Sequence, residues 1–221
     1  MPFDSAQIAR LGSSWGAMGS LVATDGSAGH AYLRRLAIGD RPLRDLADAT
    51  HYVCLLHGRH PGVIDHARLT AREPLEREWL EAAADAFAVE RGFLARIVAA
   101  AGPLPSTPGH DRCEAVTHAQ RHALDMLSRS DRAGCAIGAA LALAIDWSTI
   151  RQFLNIAATR LGFEPPLLCL PLAEETVSVV DALARQGSME RAMLFGAQQV
   201  FAQHRGLWDL LETRADARER P

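Results

Sequence analysis

Arg132-Ala-Gly-Cys-Ala-Ile-Gly-Ala-Ala-Leu-Ala-Leu-Ala-Ile-Asp146 is apolar on every side when wound into a helix. A helix with no face to offer water has to be surrounded by other helices. The uninterrupted part, Ala133 to Ile145, is 13 residues long, short of the roughly 20 needed to cross a bilayer, so the stretch reads as a core helix. Gly134 and Gly138 are four apart within it, a spacing that lets a second backbone come close.

Working outward, Trp147 to Leu161 reads as a further helix capped by Asp146 or Ser148, stopped by Phe163-Glu164-Pro165-Pro166. On the N-terminal side, Asp111 to Ser130 fits a helix, and a long one opens at Pro74 and ends at Gly102-Pro103. Before that, Asp40 can cap a helix through Leu43, Leu46, Ala47, Val53 and Cys54 that stops at Gly58. Ala173 to Gln186 and Ser188 to about Ala215 complete the set. Residues 1–39 are rich in Gly, Ser and Ala and read as an irregular arm, with short helical stretches at Asp4–Leu11 and Ala28–Leu36. No segment alternates apolar and polar residues over a strand length, and no repeat of 20 to 50 residues is present. The expectation is an all-α, single-domain bundle of about seven helices spanning 40–215 around the buried helix Arg132 to Asp146, with a charged flexible tail at 216–221.

Composition narrows the chemistry. The 221 residues include 39 alanines and no lysine, so all 23 basic residues are arginine. A P-loop, a pyridoxal or Schiff-base enzyme and a kinase each depend on a lysine and are excluded. A formal charge of −3 argues against a dedicated nucleic-acid binder. The four cysteines (Cys54, Cys113, Cys135, Cys169) are too scattered for a zinc knuckle or a disulfide scaffold. The first 23 residues lack the layout of a secretory signal, so a cytoplasmic location with no membrane partner is expected. No G-x-S-x-G, H-E-x-x-H or C-x-x-C-H motif occurs.

Placing each polar residue at about 100° per residue shows which ones lie among apolar neighbours. His57 falls at the middle of the face made by Leu43, Leu46, Ala47, Thr50, Val53 and Cys54, with His51 and Tyr52 outside it. Glu90 sits at the centre of the stripe Leu75, Trp79, Ala83, Ala86, Phe93, Leu94 and Ile97, and His204 lies among Met193, Ala197, Val200, Leu207 and Trp208. A lone carboxylate in an apolar core is costly, so Glu90 needs a partner, and His57 and His204 are the candidates. Such a cluster is either a hydrogen-bonded pair that fixes helix register or a metal or cofactor pocket.

On the third helix Val116, Ala119, Ala123, Leu124 and Leu127 form the apolar face, and Glu114, His118, Arg121, His122 and Asp125 gather opposite. His118 and His122 are four apart and could converge on one ion, or could belong to a solvated face of i,i+4 pairs. Arg59 and His60, in the run Leu56-His57-Gly58-Arg59-His60-Pro61-Gly62, either neutralise a helix dipole or form a handle for an anionic ligand or cofactor. Arginine, always charged, is expected at the surface or on anions.

A bundle of about seven helices with inward Glu and His resembles the haem-oxygenase-like and ferritin-like helical proteins. That resemblance implies an early-helix histidine, here His57, as an iron ligand, and Glu90, His118, His122 and His204 as further metal ligands. The cofactor it implies is iron or another divalent metal ahead of haem, and the chemistry metal-dependent oxidation. The competing reading is a non-catalytic structural or protein-interaction bundle whose buried Glu and His form a satisfied core network. Helices rich in Ala and Leu also suit a homodimer.

Overall fold

The structure, a computed structural model, describes residues 15–105 and 107–219. The stretch Asp4–Leu11 and the last two positions of the expected tail lie outside the described residues. Among the described residues there is no strand, and nine α-helices follow in order. They are α1 (Trp15–Asp25), α2 (Ala31–Ala37), α3 (Leu43–His57), α4 (Val63–Thr70), α5 (Pro74–Ala101), α6 (His110–Ser128), α7 (Cys135–Arg160), α8 (Ala173–Ala184) and α9 (Gly187–Glu219), with a 3-10 turn, Ser27–Gly29, after α1. The all-α architecture is as the sequence led one to expect.

Local signals explain the clearest boundaries. Pro74 opens α5 where its missing N–H is no loss, and the Glu76 carboxylate accepts hydrogen bonds from the Arg72 and Glu73 amides. Gly102, at φ +75°, ends α5 in a conformation open to glycine.

The apolar run forms the first half of α7, on which α1 to α6 and α9 all pack. Residues 135 to 147 are buried without interruption. The two helices expected from this region are one, because Asp146 does not cap anything. It lies mid-helix with its carboxylate buried and bonded to other elements. The closest approach is between α7 and α9. A Cβ built on Gly138 would stand 2.1 Å from the Met193 carbonyl oxygen, and one on Gly196 would stand 2.2 Å from that of Cys135.

Three further expectations are corrected. The expected irregular arm contains α1, and α2 falls on the short helical stretch expected at Ala28–Leu36; the two bury Trp15, Met18, Tyr32, Leu33 and Leu36. A stretch rich in Gly and Ser thus becomes structured through a few large apolar side chains. The expected tail is helical to Glu219, because Arg218 is anchored on α3 by Asp45 and Asp48. Finally, α6 is rotated relative to its expected orientation. It buries Thr117, Gln120, Leu124 and Ser128 and exposes Val116, Ala119 and Ala123.

Candidate functional site

The last turn of α3 points His57 inward, and α9 does the same with His204, so that their Nε2 atoms meet at 2.8 Å. A contact between two ring nitrogens holds one proton, with one nitrogen donating and the other accepting. His204 Nδ1 lies 2.6 Å from Asp146 Oδ2 on α7. The other carboxylate oxygen of Asp146 accepts the backbone N–H of Ser27 at 2.8 Å, and the Ser27 hydroxyl donates to Oδ2. Trp208 Nε1 then donates to Ser27 Oγ at 2.8 Å. The result is a continuous chain, His57–His204–Asp146–Ser27–Trp208, drawn from four elements and buried throughout.

Burial, reinforced by the neighbouring His204, holds the His57 imidazole well below the ordinary histidine pKa, so His57 is neutral near pH 7. Below about pH 6.5 the unfolded chain protonates this side chain and the folded chain does not, so the unfolded state binds more protons there. The contribution of His57 is complete above the unfolded pKa and is lost as pH falls toward the depressed folded value. Unfolding free energy is therefore expected to fall with decreasing pH by up to about 1.4 kcal/mol per unit between about pH 6.5 and 5. Urea titrations across that range should show a shallower slope for His57→Gln than for wild type. Equal slopes would remove His57 as the titrating group.

Glu90 has a different set of partners from those expected. Its Oε2 accepts Arg151 Nε at 2.7 Å and Trp147 Nε1 at 2.9 Å, and no hydrogen bond joins it to a histidine. The Arg151 guanidinium lies 4.0 Å from the centre of the Phe93 ring and donates from Nη2 to the Pro166 carbonyl at 2.6 Å. Trp147 links the two networks, with its N–H on Glu90 and its ring edge-to-face with His57 at 5.8 Å between centroids. Arg151 is thus a buried arginine, and of the two placements expected for that residue type, at the surface or on an anion, it takes the second. Burial is tolerated because the guanidinium meets a carboxylate, a carbonyl and a ring face at once.

The remaining expected ligands lie elsewhere. His118 and His122 are exposed on α6, and neither joins Glu90. His60 is exposed after α3, 3.4 Å from Asp65, which pairs with Arg91 at 2.9 Å. Arg59 is exposed and lines a cleft between α3, α5 and α6. Among the described residues, no three His, Cys, Asp or Glu side chains are grouped so as to hold a metal ion.

A second buried charge cluster was missed from sequence. Asp48 accepts two hydrogen bonds from Arg214, at 2.8 and 3.0 Å, and one from Arg218 at 2.8 Å. Asp45 accepts from Arg218 at 2.7 Å and from Arg41 at 2.8 Å. The available signal was a pair of spacings: Asp45 and Asp48 three apart on α3, and Arg214 and Arg218 four apart on α9. Tyr52, expected outside the buried face, is 1% exposed beneath the Arg214 guanidinium.

Fold and interior together define an all-α bundle around one central helix, stapled by buried networks of Glu, Asp, His and Arg. The chain belongs to a family of unknown function, DUF6975, which matches residues 22–219. No curated protein and no solved structure matches it significantly.

Proposed function

We propose that this protein is a non-catalytic bundle, a structural or interaction module, whose inward Glu and His groups set the register of its helices. One observation carries the reading: the carboxylates of the two central networks, Glu90 and Asp146, are each engaged by protein donors from other elements. Glu90 takes Trp147 and Arg151, and Asp146 takes Ser27 and His204. A metal-binding carboxylate or imidazole keeps a lone pair directed at the ion. Here the Nε2 atoms of His57 and His204 are directed at each other. An ion would have to part them and find a third ligand.

Self-association through an apolar face belongs to the same reading, since Phe195 of α9 is 44% exposed. Light scattering on the purified protein would read it directly.

The oxidoreductase reading drawn from the ferritin-like resemblance is tested on the same preparation. Protein purified without chelators is expected to carry no stoichiometric iron, zinc or copper by elemental analysis and no visible absorption. Adding Fe(II) or Zn(II) is expected to leave the melting temperature unchanged, whereas a ligand at 100 times its Kd would add roughly 2.7 kcal/mol. One metal per chain, or a haem-type spectrum, would overturn the non-catalytic reading.

A further inference from the structure

Between α3, α5 and α6 lies an open cleft of about 360 Å³, within the size range of small-molecule sites. Its wall includes Leu55, Val98 and Leu104, while Arg59 and Arg121 supply two guanidiniums. Among the described residues neither arginine has a carboxylate partner or a side-chain hydrogen bond, unlike Arg151, Arg214 and Arg218, whose buried side chains are held by acids. Glu114 also lines the cleft and faces His110 at 3.6 Å. Two arginines against one glutamate leave the cleft one positive charge in excess.

The second observation is Tyr52. It lines the cleft, is 1% exposed, and among the described residues its buried hydroxyl has no hydrogen-bond partner. Burial, outweighing the lowering effect of the neighbouring Arg214 guanidinium, pushes its pKa up to about 12, so the group is a neutral donor and acceptor. An unsatisfied buried hydroxyl is costly, and a ligand that supplied a partner would recover that cost.

Spacing sets the length of the ligand. Glu114 and Arg121 are seven residues apart on α6, and Arg59 lies two residues beyond the end of α3, the helix that carries Tyr52. At 1.5 Å per residue the α6 pair spans about 10 Å along its helix. The cleft therefore has a cationic end at Arg59 and Arg121, an apolar middle, and a hydrogen-bonding end at Tyr52 and Glu114.

The geometry points to a binding site for a small amphipathic hydroxy-carboxylate, its carboxylate on Arg59 and Arg121 and its hydroxyl between Tyr52 and Glu114. The arginines recognise the carboxylate by charge-assisted hydrogen bonds. The ligand hydroxyl accepts from Tyr52 and donates to Glu114, which neither a plain fatty acid nor an alcohol can match while also filling the cationic end.

Calorimetric titration of the full chain with 8-hydroxyoctanoate, octanoate and 1-octanol tests the assignment. Saturable binding is expected in that order of affinity. Arg59→Ala and Arg121→Ala should each weaken 8-hydroxyoctanoate about tenfold, as expected for loss of a charge-assisted bond. Neither arginine is held by another side chain, so both variants should keep the wild-type circular dichroism and melting temperature. Tyr52→Phe should abolish the preference for 8-hydroxyoctanoate over octanoate. Absence of saturable binding, or affinities untouched by the arginine substitutions, would overturn the site. The readout is independent of the core: metal at His57 and His204 would leave this cleft as it is, and an empty cleft would leave the structural reading in place.

Discussion

Replacing Arg151 with methionine is expected to lower the unfolding free energy by about 3–5 kcal/mol, the cost of leaving one member of a buried ion pair uncompensated. Glu90 is 1% exposed, and among the described residues its Oε1 already has no hydrogen-bond partner. Without the guanidinium, Trp147 would be the sole remaining donor to the carboxylate among those seen. The substitution also releases the Pro166 carbonyl and the stacking on Phe93, so the loop after α7 should loosen with it. Glu90→Gln keeps an acceptor for both donors but leaves the arginine charge unpaired, and should be destabilising by a smaller amount. The double variant Glu90→Leu/Arg151→Met removes both charges and should recover much of the loss, because the desolvation penalty disappears with them. Guanidinium denaturation of the wild type, Arg151→Met, Glu90→Leu and the double variant closes the cycle. A cost below about 1 kcal/mol for Arg151→Met would place the pair with solvent-exposed ion pairs and would remove Glu90 as a structural strut.

Gly138→Ala should be as damaging, by about 3 kcal/mol, at the upper end for overpacking. The added methyl would stand 2.1 Å from the Met193 carbonyl oxygen and 2.6 Å from the Met193 Cα. Both are backbone atoms of α9, so no rotamer change relieves the clash and the two helices must part. Gly134 and Gly196 make the same contact from either side, with Cβ positions 2.6 Å from the Met189 oxygen and 2.2 Å from the Cys135 oxygen. Because α9 carries His204, the displacement should also open the His57–His204 contact and flatten the pH dependence of stability. Gly92→Ala is the control, in mid-α5 with nothing within 4 Å of its Cβ. There the substitution should gain up to about 1 kcal/mol of helix propensity. Opposite signs at the two glycines are expected in denaturation; equal effects would mean that close helix approach at Gly138 is not what the glycine provides.

Much of the architecture was legible because helical signals are local. The apolar run 133–145, Pro74 at the head of α5, Gly102 at its end and the inward placement of His57, Glu90 and His204 all follow from a 3.6-residue repeat and the chemistry of caps. The failures have the same origin. Asp146 has the composition of a cap, and α7 continues past it only because Ser27 and His204 satisfy its carboxylate from distant parts of the chain. On α6 the inward side is Thr117, Gln120, Leu124 and Ser128, so polarity contrast pointed to the wrong face.

By itself the sequence determined that the chain is helical, that one helix lies at the centre, and that a carboxylate and two imidazoles turn inward. The absence of lysine determined that any buried cation other than histidine would be arginine. Only the tertiary structure decided that Glu90 meets Arg151 instead of a histidine, that the imidazoles meet each other, and that Asp48 gathers Arg214 and Arg218. A helical repeat specifies the side from which a residue emerges, whereas its partner depends on the crossing angle and axial offset of another helix far away in sequence. At Gly134, Gly138 and Gly196 those quantities are set by backbone contact between α7 and α9.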